Sequence, residues 1–284
     1  MKFLPPPRAL PPFSIAVPSS IVAEAADLRE KTRKIGYIGR SAAIFRVEEI
    51  IIYMDDNIYH LDLVYNILRY QELPPYLRKK LIPLARDFSE VGILPPLKSP
   101  HHLKYDISIV PIREASVIKR TKRGYLLDLG LEKPGYLKTN KHIPRRLTVE
   151  VVGENDQYFK VKQVDPKDKK IYWKFDIKKF TSMKKMVEYA RTTHSLIIGA
   201  TKKGINITQI DNILKESLHT SNKVLIIFGG PYEDIDEIAK RENLDITTVC
   251  KYLVNTVPHQ GVESIRTEEA IIATLSILNY LREK

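Results

Sequence analysis

Three short apolar runs in the C-terminal third place the strongest constraint on how this chain can fold. They read SLIIGAT (195–201), VLIIFGG (224–230) and YLVNTV (252–257). Segments with helical periodicity lie between and after them, namely MKKMVEYART, TQIDNILKESL, DIDEIAKREN and TEEAIIATLSILNYL. Continuous apolar runs separated by helices are typical of parallel strands that are buried on both faces. The pattern therefore predicts an α/β domain in which helices cover a parallel sheet.

The first third of the chain alternates in the same way. FSIAVPSS (13–20) and EEIIIYMDD (48–56) read as strands, and residues 28–47 read as a helix. Residues 61–73 have apolar side chains at helical spacing, and Pro74-Pro75 ends that helix. We therefore predict that residues 1–103 and 181–284 form one discontinuous domain.

The middle third, residues 104–180, has a different pattern. Five short alternating runs, separated by turn signals, read DISIVPI, GYLLDLGL, RLTVEVV, QYFKVKQV and KIYWKF. Several short strands in so few residues are typical of a small Greek-key barrel, and an OB-fold is the first candidate. We predict an OB-like β-barrel inserted into the α/β domain.

Basic charge is concentrated in this middle third. The whole chain has 46 Lys+Arg against 34 Asp+Glu, a net charge of +12, and residues 104–179 carry 19 against 10, a net of +9. Lysine and arginine bind phosphates, and aromatic faces stack on unpaired bases. Alternatively the aromatic residues fill the barrel core, which we expect of more than half of them. The segment is predicted to bind RNA, with aromatic residues Tyr105, Tyr125, Tyr136, Tyr158, Phe159, Tyr172, Trp173 and Phe175.

Cysteine and histidine usage argues against disulfides and metal sites. Cys250 is the single cysteine, which excludes an intrachain disulfide and fits a cytoplasmic protein. His101-His102 has no metal-ligand spacing around it, so a hinge or RNA contact is the better interpretation. No run of 18 apolar residues occurs and the proline-rich N-terminus does not resemble a signal peptide, so we predict no membrane association.

The loops after the three C-terminal strands predict a ligand crevice. Ligands of open parallel sheets bind beyond the carboxyl ends of the strands, and Gly229-Gly230 lets a ligand approach the backbone there. Neither a dinucleotide-binding nor a P-loop glycine pattern is present. The last helix is predicted to begin with Thr267 as N-cap, followed by Glu268 and Glu269, whose charges disfavour phosphate at that terminus. A neutral or cationic ligand held by backbone groups is expected.

Two segments resemble motifs of the SPOUT methyltransferase superfamily. PHQGVESIRTEEA (258–270) is similar to the third motif, which forms the last knotted loop and helix. KIGYIGRSAAIFRVEEIIIY (34–53) resembles the SpoU-type first motif and aligns Arg40 and Ser41-Ala42 with its Arg-Thr-Ala. With AVPSS, VGILPPL and SPHH, the resemblance spans nearly the full chain. The chain resembles the archaeal and eukaryotic RNA methyltransferases that carry a barrel within the catalytic domain.

The resemblance implies an α/β-knot domain with a C-terminal trefoil knot, a homodimer, and S-adenosylmethionine as cofactor. This cofactor is cationic at sulfur, and its adenine needs main-chain donors and acceptors, in keeping with the expected ligand. By resemblance, the cofactor contacts are expected at Thr201, Lys203, Gly204, Gly229, Gly230, Asn255, Thr256, Val257, Gly261, Ser264, Ile265 and Arg266.

The resemblance also implies an RNA methyltransferase that modifies a base, with uridine N3 in ribosomal RNA as the expected target. Arg266 stands where SpoU enzymes carry Asn, and FGGPYED replaces their second-motif Glu, so the roles known for ribose methylases transfer poorly. The loss of the N3 proton leaves a negative charge that a nearby cation would stabilise. We assign this role to Arg266 or Arg40, one of them reaching across the dimer, and assign Glu263 as the proton-accepting base.

Other interpretations of these residues and of the chain remain open at this point. Arg40 can instead form a structural ion pair with Glu48 or Glu49, and Glu263 can be a solvated loop residue. His259 can be catalytic or can hydrogen-bond within its loop. The alternative functions are a non-catalytic RNA-binding ribosome-assembly factor and a SPOUT 2′-O-ribose methylase.

Overall fold

The computed structural model describes residues 4–103 and 106–284, which divide into two compact units. The larger unit contains Ala9–Glu72, Ala85–Leu97 and Phe175–Lys284. The smaller unit contains Leu73–Leu84, Lys98–Lys174 and the N-terminal residues through Arg8. The predicted boundaries at 103 and 181 thus differ from the compact units, because residues 73–84 group with the barrel segment and residues 175–180 group with the sheet.

The larger unit is built on a six-stranded sheet whose strands all run parallel. Its strands are β1 (Phe13–Pro18), β2 (Glu49–Tyr53), β8 (Asp176–Phe180), β9 (Leu196–Asn206), β10 (Val224–Phe228) and β11 (Tyr252–Asn255). Their order across the sheet is β11-β9-β10-β1-β2-β8. Its helices are α1 (Leu28–Ile44), α2 (Ile58–Glu72), α4 (Met183–Thr193), α5 (Ile207–His219), α6 (Ile235–Arg241), α7 (Ile246–Val249) and α8 (Thr267–Glu283). The parallel α/β architecture expected from the apolar runs is confirmed.

Each central strand is apolar on both faces because helices cover both. In β10, Ile226 packs into the cluster under α1, α2, α5 and α8, whereas its neighbours Leu225 and Ile227 pack into the cluster under α4, α6 and α7. All three side chains are fully buried. Removing such a side chain from water contributes about 1.5–3 kcal/mol. Burial on two sides explains why these strands read as continuous apolar runs.

The smaller unit is a closed five-stranded barrel. Its strands are β3 (Ile112–Thr121), β4 (Gly124–Asp128), β5 (Gly135–Lys138), β6 (Arg146–Glu154) and β7 (Phe159–Gln163), and its helix is α3 (Pro75–Leu81). The order around the barrel is β3-β4-β5-β7-β6, and the β5–β7 pair is the parallel one. A barrel was expected, but two of its strands were placed wrongly in the sequence.

The misplaced strands have local causes. DISIVPI (106–112) is mostly loop, since β3 begins at Ile112, and KIYWKF (170–175) contains only an isolated bridge from Ile171 to Pro7. Tyr172 and Trp173 are apolar because they are buried in a loop, not because they belong to a ladder. The four-residue β5 was missed, as was β8, an edge strand of composition DIKKF.

The aromatic residues of the middle third divide into core and surface. Five of the eight named above are buried. Tyr136 and Tyr158 are half-buried, and Tyr105 lies outside the described residues. Only Tyr125 and Phe159 belong to the apolar cluster inside the barrel, and Phe175 packs in the core of the larger unit, so the expectation that more than half of them fill the barrel core was wrong.

Candidate active site

The carboxyl ends of β9, β10 and β11 lie side by side and open into one cavity. Because these strands are parallel neighbours, the loops that follow them leave the sheet at the same edge. The cavity has a volume of about 710 Å³ and is lined by these loops and by the first turns of α8. Protein sites for small molecules and cofactors have volumes of roughly 300–1,000 Å³.

The first wall of the cavity is an irregular stretch of β9. Strand β11 pairs with β9 at Ile198 and Gly199, and its next two pairs are at Ile205 and Asn206. Residues 200–204 are passed over by this pairing, and the first four of them line the cavity. At Gly204 a Cβ would lie 2.6 Å from the carbonyl carbon of Leu253, so only glycine fits against β11 there. Because this part of β9 does not pair with β11, its residues are available to line the cavity.

The second wall is the loop from Gly229 to Asp234 between β10 and α6. Asp234 caps α6, accepting from the backbone N–H of Ile235 at 2.7 Å, and the backbone N–H of Asp234 donates to Glu237 at 2.8 Å. The hydroxyl of Thr201 donates to the other oxygen of Asp234 and so connects this loop to the β9 wall. At Gly229 a Cβ would lie 3.0 Å from the Asp234 Cα, so even an alanine there would require the turn to shift by a few tenths of an ångström.

The third wall is the end of β11 and the loop from Thr256 to Ile265. The Asn255 side chain donates to the carbonyl of Lys202 at 3.1 Å and accepts from the N–H of Val257 at 3.0 Å. Lys202 in turn donates through Nζ to the carbonyl of Glu263 at 2.8 Å. The hydroxyls of Thr256 and Thr274 are hydrogen-bonded at 2.8 Å in a buried position. The loop is therefore fastened to both β9 and α8.

The start of α8 differs from the expected one. Arg266, not Thr267, occupies the N-cap, where its backbone N–H donates to the carboxylate of Glu269 at 3.0 Å. Thr267 is the first helical residue, and its hydroxyl donates to the carbonyl of Gly229 at 3.1 Å. The predicted N-cap was wrong because the threonine hydroxyl has a tertiary partner across the cavity, while the carboxylate three residues later satisfies the cap.

The cavity walls carry more negative than positive charge. Two lysines line the cavity, Lys202 and Lys203, and contribute a charge of +2. Four carboxylates line it as well and contribute −4, namely Glu233, Asp234, Glu237 and Glu263. A wall of net charge −2 favours a cationic ligand over a phosphate.

Lys203 is held at the rim by two carboxylates of α6. Its Nζ donates to Asp236 at 3.0 Å and to Glu237 at 3.3 Å. The hydrogen bonds to Asp236 raise the pKa of Lys203. Burial acts to raise the pKa of Asp236, but the hydrogen bond and charge of Lys203 outweigh it and lower that pKa below its ordinary value. The backbone N–H of Asp234, followed by Lys203, lowers the pKa of Glu237. All three groups are therefore held in their charged forms.

Most of the predicted site residues meet at this cavity. Ten of them line it: Thr201, Lys203, Gly229, Gly230, Asn255, Thr256, Val257, Glu263, Ser264 and Ile265. Four do not: Gly204, whose role in the structure is the close approach to β11, and Gly261, Arg266 and Arg40.

Arg40 has other partners than those considered from the sequence. Its guanidinium donates to the carbonyls of Pro96, at 3.1 Å, and Leu97. Glu49, suggested as its ion-pair partner, instead accepts from Lys223 and from the hydroxyl of Tyr189, each at 2.7 Å. The catalytic role assigned to Arg40 stays a prediction.

Sequence reasoning missed several residues of the cavity. Asp234 joins two walls, and its D-x-x-E spacing to Glu237 is a capping-box signal that was present in the sequence. Tyr232 lines the cavity as part of the segment that departs from the SpoU second motif. Ala270 and Thr274 project from α8, and no sequence signal places a helix face against a particular set of loops.

His101 and Cys250, which were also considered from the sequence, are buried in the protein interior. His101 is buried, and its Nδ1 lies 2.9 Å from the carbonyl oxygen of Trp173. Cys250 is buried, which raises its pKa to about 12. In residues 4–103 and 106–284, no cluster of three or more His, Cys, Asp or Glu could hold a metal ion. No helix in these ranges is long and apolar enough to span a membrane.

The sequence matches a known family over nearly its whole length. The family model, described as "Putative RNA methyltransferase", matches residues 12–278, which include every wall of the cavity. The chain belongs to this family. The expected resemblance to RNA methyltransferases is confirmed by this match.

The individual relatives have low sequence identity to this chain, but the similarity extends over nearly all of it. The 28S rRNA (uridine-N(3))-methyltransferase of Drosophila melanogaster is 30% identical over 303 residues, which is 94% of this chain and 61% of the fly protein. The Homo sapiens protein of the same name is 28% identical over 298 residues, 94% of this chain and 77% of the human one. This chain thus spans about three fifths of the fly relative. Among solved structures, the SpoU methyltransferase AviRb from Streptomyces viridochromogenes, in complex with AdoMet, aligns with a TM-score of 0.40 at 10% identity, over 98% of this chain and 59% of AviRb.

Proposed function

We propose that this protein is an S-adenosylmethionine-dependent RNA methyltransferase that methylates N3 of a uridine in ribosomal RNA. The observation that carries the proposal is the cavity at the carboxyl edge of the sheet, in a chain of an RNA methyltransferase family. The names of the fly and human relatives support uridine N3 as the target.

The cavity fits S-adenosylmethionine in size, charge and backbone exposure. Its wall charge of −2 suits a sulfonium, and Gly229 and Gly230 expose main chain for an adenine. The residues that would hold the cofactor are the backbones of Gly229, Asn255 to Val257, Ser264 and Ile265, with the acidic side chains toward the positive sulfur. When bound, the cofactor supplies an electrophilic methyl group. What the chain contributes is a rigid, closely fastened enclosure for it.

Three residues are proposed to act on the target base. Glu263 lines the cavity with an exposed side chain, and Lys202 and Gln260 donate to its backbone carbonyl and so fix its position. Its carboxylate is proposed to accept the N3 proton. Arg266 is exposed at the N-cap of α8, directly after Ile265 of the cavity wall. It is proposed to stabilise the negative charge that develops on the uracil carbonyl oxygens. Arg40 is proposed to reach the site of a second copy of the chain.

A homodimer is supported by an exposed apolar surface on α1 and α8. The two helices run parallel, because Lys34 on α1 pairs with Glu268 at 3.7 Å and Arg46, just beyond α1, pairs with Glu283 at the far end of α8. The exposed apolar residues of this surface are Tyr37, Ile44, Ile272 and Tyr280.

Arg40 lies within the same surface. It falls three residues after Tyr37 and four before Ile44, so helical spacing places all three on one face of α1. A second copy docked there would bring Arg40 to the partner, as the catalytic proposal requires. We also propose that the C-terminal segment forms the trefoil knot of SPOUT proteins, and that the protein works in the cytoplasm, where its free Cys250 stays reduced.

The barrel is proposed to be OB-like and to bind single-stranded RNA. Its strand order, with a parallel pair between the third and fifth barrel strands, supports the OB-like assignment. On its outer surface the rings of Tyr136 and Tyr158 are 5.0 Å apart, Lys160 is the register partner of Tyr136, and exposed Lys138 follows on the same face. Aromatic rings beside lysines suit stacked bases and their phosphates.

The deciding experiment identifies the methylated nucleoside. Purified protein is incubated with methyl-labelled S-adenosylmethionine and unmodified ribosomal RNA, and the digest is analysed by mass spectrometry. Labelled N3-methyluridine is the expected product. A ribose-methylated nucleoside, whose phosphodiester resists alkali, would assign the chain to 2′-O methylases instead. Absence of both methyl transfer and cofactor binding would refute the enzyme and favour an assembly factor.

The same assay tests the assigned roles. Glu263→Gln and Arg266→Ala are each expected to lower kcat by about 10²-fold, the typical effect of losing a general base or an oxyanion-stabilising group. Cofactor affinity, measured by calorimetry, should stay within a few-fold. Full turnover in Arg266→Ala would remove that residue from the mechanism.

A further inference from the structure

Tyr232 combines two properties that are hard to reconcile with a purely structural side chain. It lines the cavity, yet 71% of its surface is exposed, more than for the other exposed aromatic side chains of the described residues. Burying such a ring stabilises a protein, whereas leaving it in water contributes nothing to folding. The side chain therefore presents a large apolar face at the edge of the cavity.

The turn that carries Tyr232 is held in place on both sides. The N–H of Gly230 donates to the carbonyl of Glu233 at 2.9 Å and closes the turn, within which Pro231 fixes one backbone angle. Arg241 donates to the Glu233 carboxylate at 2.5 Å and also to the backbone carbonyl of Asp55. The ring is thus displayed from a rigid support, and a tyrosine itself has only two side-chain torsions to order.

The surroundings select the kind of group that can stack on this ring. Carboxylates outnumber lysines on the cavity walls, so a phosphate is disfavoured there, whereas a neutral flat ring is not. An RNA base taken out of its stack loses stacking on both faces, and proteins replace that stacking with aromatic side chains. A solvent-facing ring at the cavity edge is the arrangement this substitution requires.

We propose that Tyr232 is the platform on which the target uracil stacks when it enters the cavity. The inference rests on the proposed function, since it names the residue that positions the base for that reaction. It assigns a base-positioning role to the FGGPYED segment, which departs from the SpoU second motif. Stacking uses the ring and not the hydroxyl, so phenylalanine should replace tyrosine.

Photo-crosslinking tests contact directly and independently of methyl transfer. Ribosomal RNA transcribed with 5-iodouridine is irradiated with the full-length protein, and the crosslinked peptide is mapped by mass spectrometry. The variants are Tyr232→Ala, Tyr232→Phe and, as control, Tyr59→Ala, which removes a tyrosine that is 54% exposed on α2 outside the cavity. Cofactor affinity is measured by calorimetry without RNA.

The wild-type crosslink is expected at Tyr232. Tyr232→Ala should lose that crosslink and lower kcat/KM for RNA by about ten- to a hundredfold, the range reported for removing one base–aromatic stack. Tyr232→Phe should stay within about threefold, Tyr59→Ala should match wild type, and cofactor affinity should change by less than about twofold in all variants.

Distinct results would overturn the inference and the function beneath it. Absence of a crosslink at Tyr232 in the wild type, or a Tyr232→Ala variant with unchanged kcat/KM, would show that the base does not stack there, whereas additional crosslinks on the barrel are compatible with the inference. A tenfold loss of cofactor affinity in Tyr232→Ala would assign the ring to the cofactor instead. Failure of the wild-type protein both to methylate RNA and to bind the cofactor would refute the proposed function, while the mapped crosslink would still report whether Tyr232 contacts a base.

Discussion

Gly230→Ala is expected to destabilise the protein through one identifiable clash. A Cβ built on Gly230 lies 2.5 Å from the hydroxyl oxygen of Ser20, whereas ordinary van der Waals contacts begin near 3.4 Å. The two atoms would therefore have to move apart by about 0.9 Å (3.4 minus 2.5). The Ser20 hydroxyl cannot simply rotate away at no cost, because it donates to Asp55 at 2.5 Å in a buried position. Extra atoms in a packed interior cost about 1–3 kcal/mol.

The free-energy cost of this clash can be isolated with a second substitution, at Ser20. Ser20→Ala removes the clashing oxygen and, by itself, loses a hydrogen bond to a charged group, which costs about 1.5–3 kcal/mol. In the Gly230→Ala background the same change also relieves the clash. The double variant should therefore be about as stable as Ser20→Ala alone, a coupling of about 2 kcal/mol between the two sites.

Urea denaturation of the wild type, both single variants and the double variant measures this coupling. Gly92→Ala is the matched control, because a Cβ there would meet nothing within 4 Å. Gly230→Ala alone should also lower Tm by roughly 4–8 °C, since 1 kcal/mol corresponds to about 2–4 °C in proteins of this size range. Additive losses in the double variant, with no coupling, would show that the Ser20 contact does not determine the need for glycine.

Three further predictions concern other parts of the chain. Gly204→Ala should lower the free energy of unfolding by about 2 kcal/mol or more, because the new Cβ would lie 2.6 Å from the backbone of β11. Gly261→Ala is the control and should change it by less than about 0.5 kcal/mol, because a Cβ there would meet nothing within 4 Å. Denaturation curves of the two variants test the difference. Burial lowers the pKa of His194 to about 4 from 6.5, so stability should fall as pH drops from 6.5 toward 4, and His194→Gln should flatten that part of the stability–pH curve. Lys138→Gln with Lys160→Gln should reduce the salt dependence of single-stranded RNA binding by about 1.4 in log–log slope, whereas neutralising two exposed lysines of α4 should not.

The strands of the large sheet were predictable because burial on two faces leaves a local signature. Each of β1, β2, β9 and β10 is an apolar run whose successive side chains enter opposite clusters, so no long-range knowledge was needed to recognise it. Strand β8 pairs only with β2 at the sheet edge and keeps polar side chains, so it lacks that signature. Barrel strand β5 is too short, at four residues, to show alternation.

The position of the site followed from the topology of a parallel sheet, since loops after parallel strands leave at one edge. Most of the residues named for it line the cavity for that reason, and Lys203 does so although its side chain is tied to α6. Gly204 was assigned to the cofactor by resemblance, whereas the structure places it in close approach to β11, which no local sequence signal reveals.

The sequence by itself determined the fold class, the edge of the sheet that carries the site, and the basic character of the barrel, because each depends on periodicity, chain order or composition within short segments. Only the tertiary structure decided that β11 passes over residues 200–204, that Asp234 joins two walls, and that Tyr232 stands exposed on a fixed turn. The first two depend on which distant segments come into contact, and the third also depends on a distant contact, from Arg241 to the carbonyl of Asp55. A local pattern records how buried a residue is, but not which distant part of the chain buries it or leaves it in water.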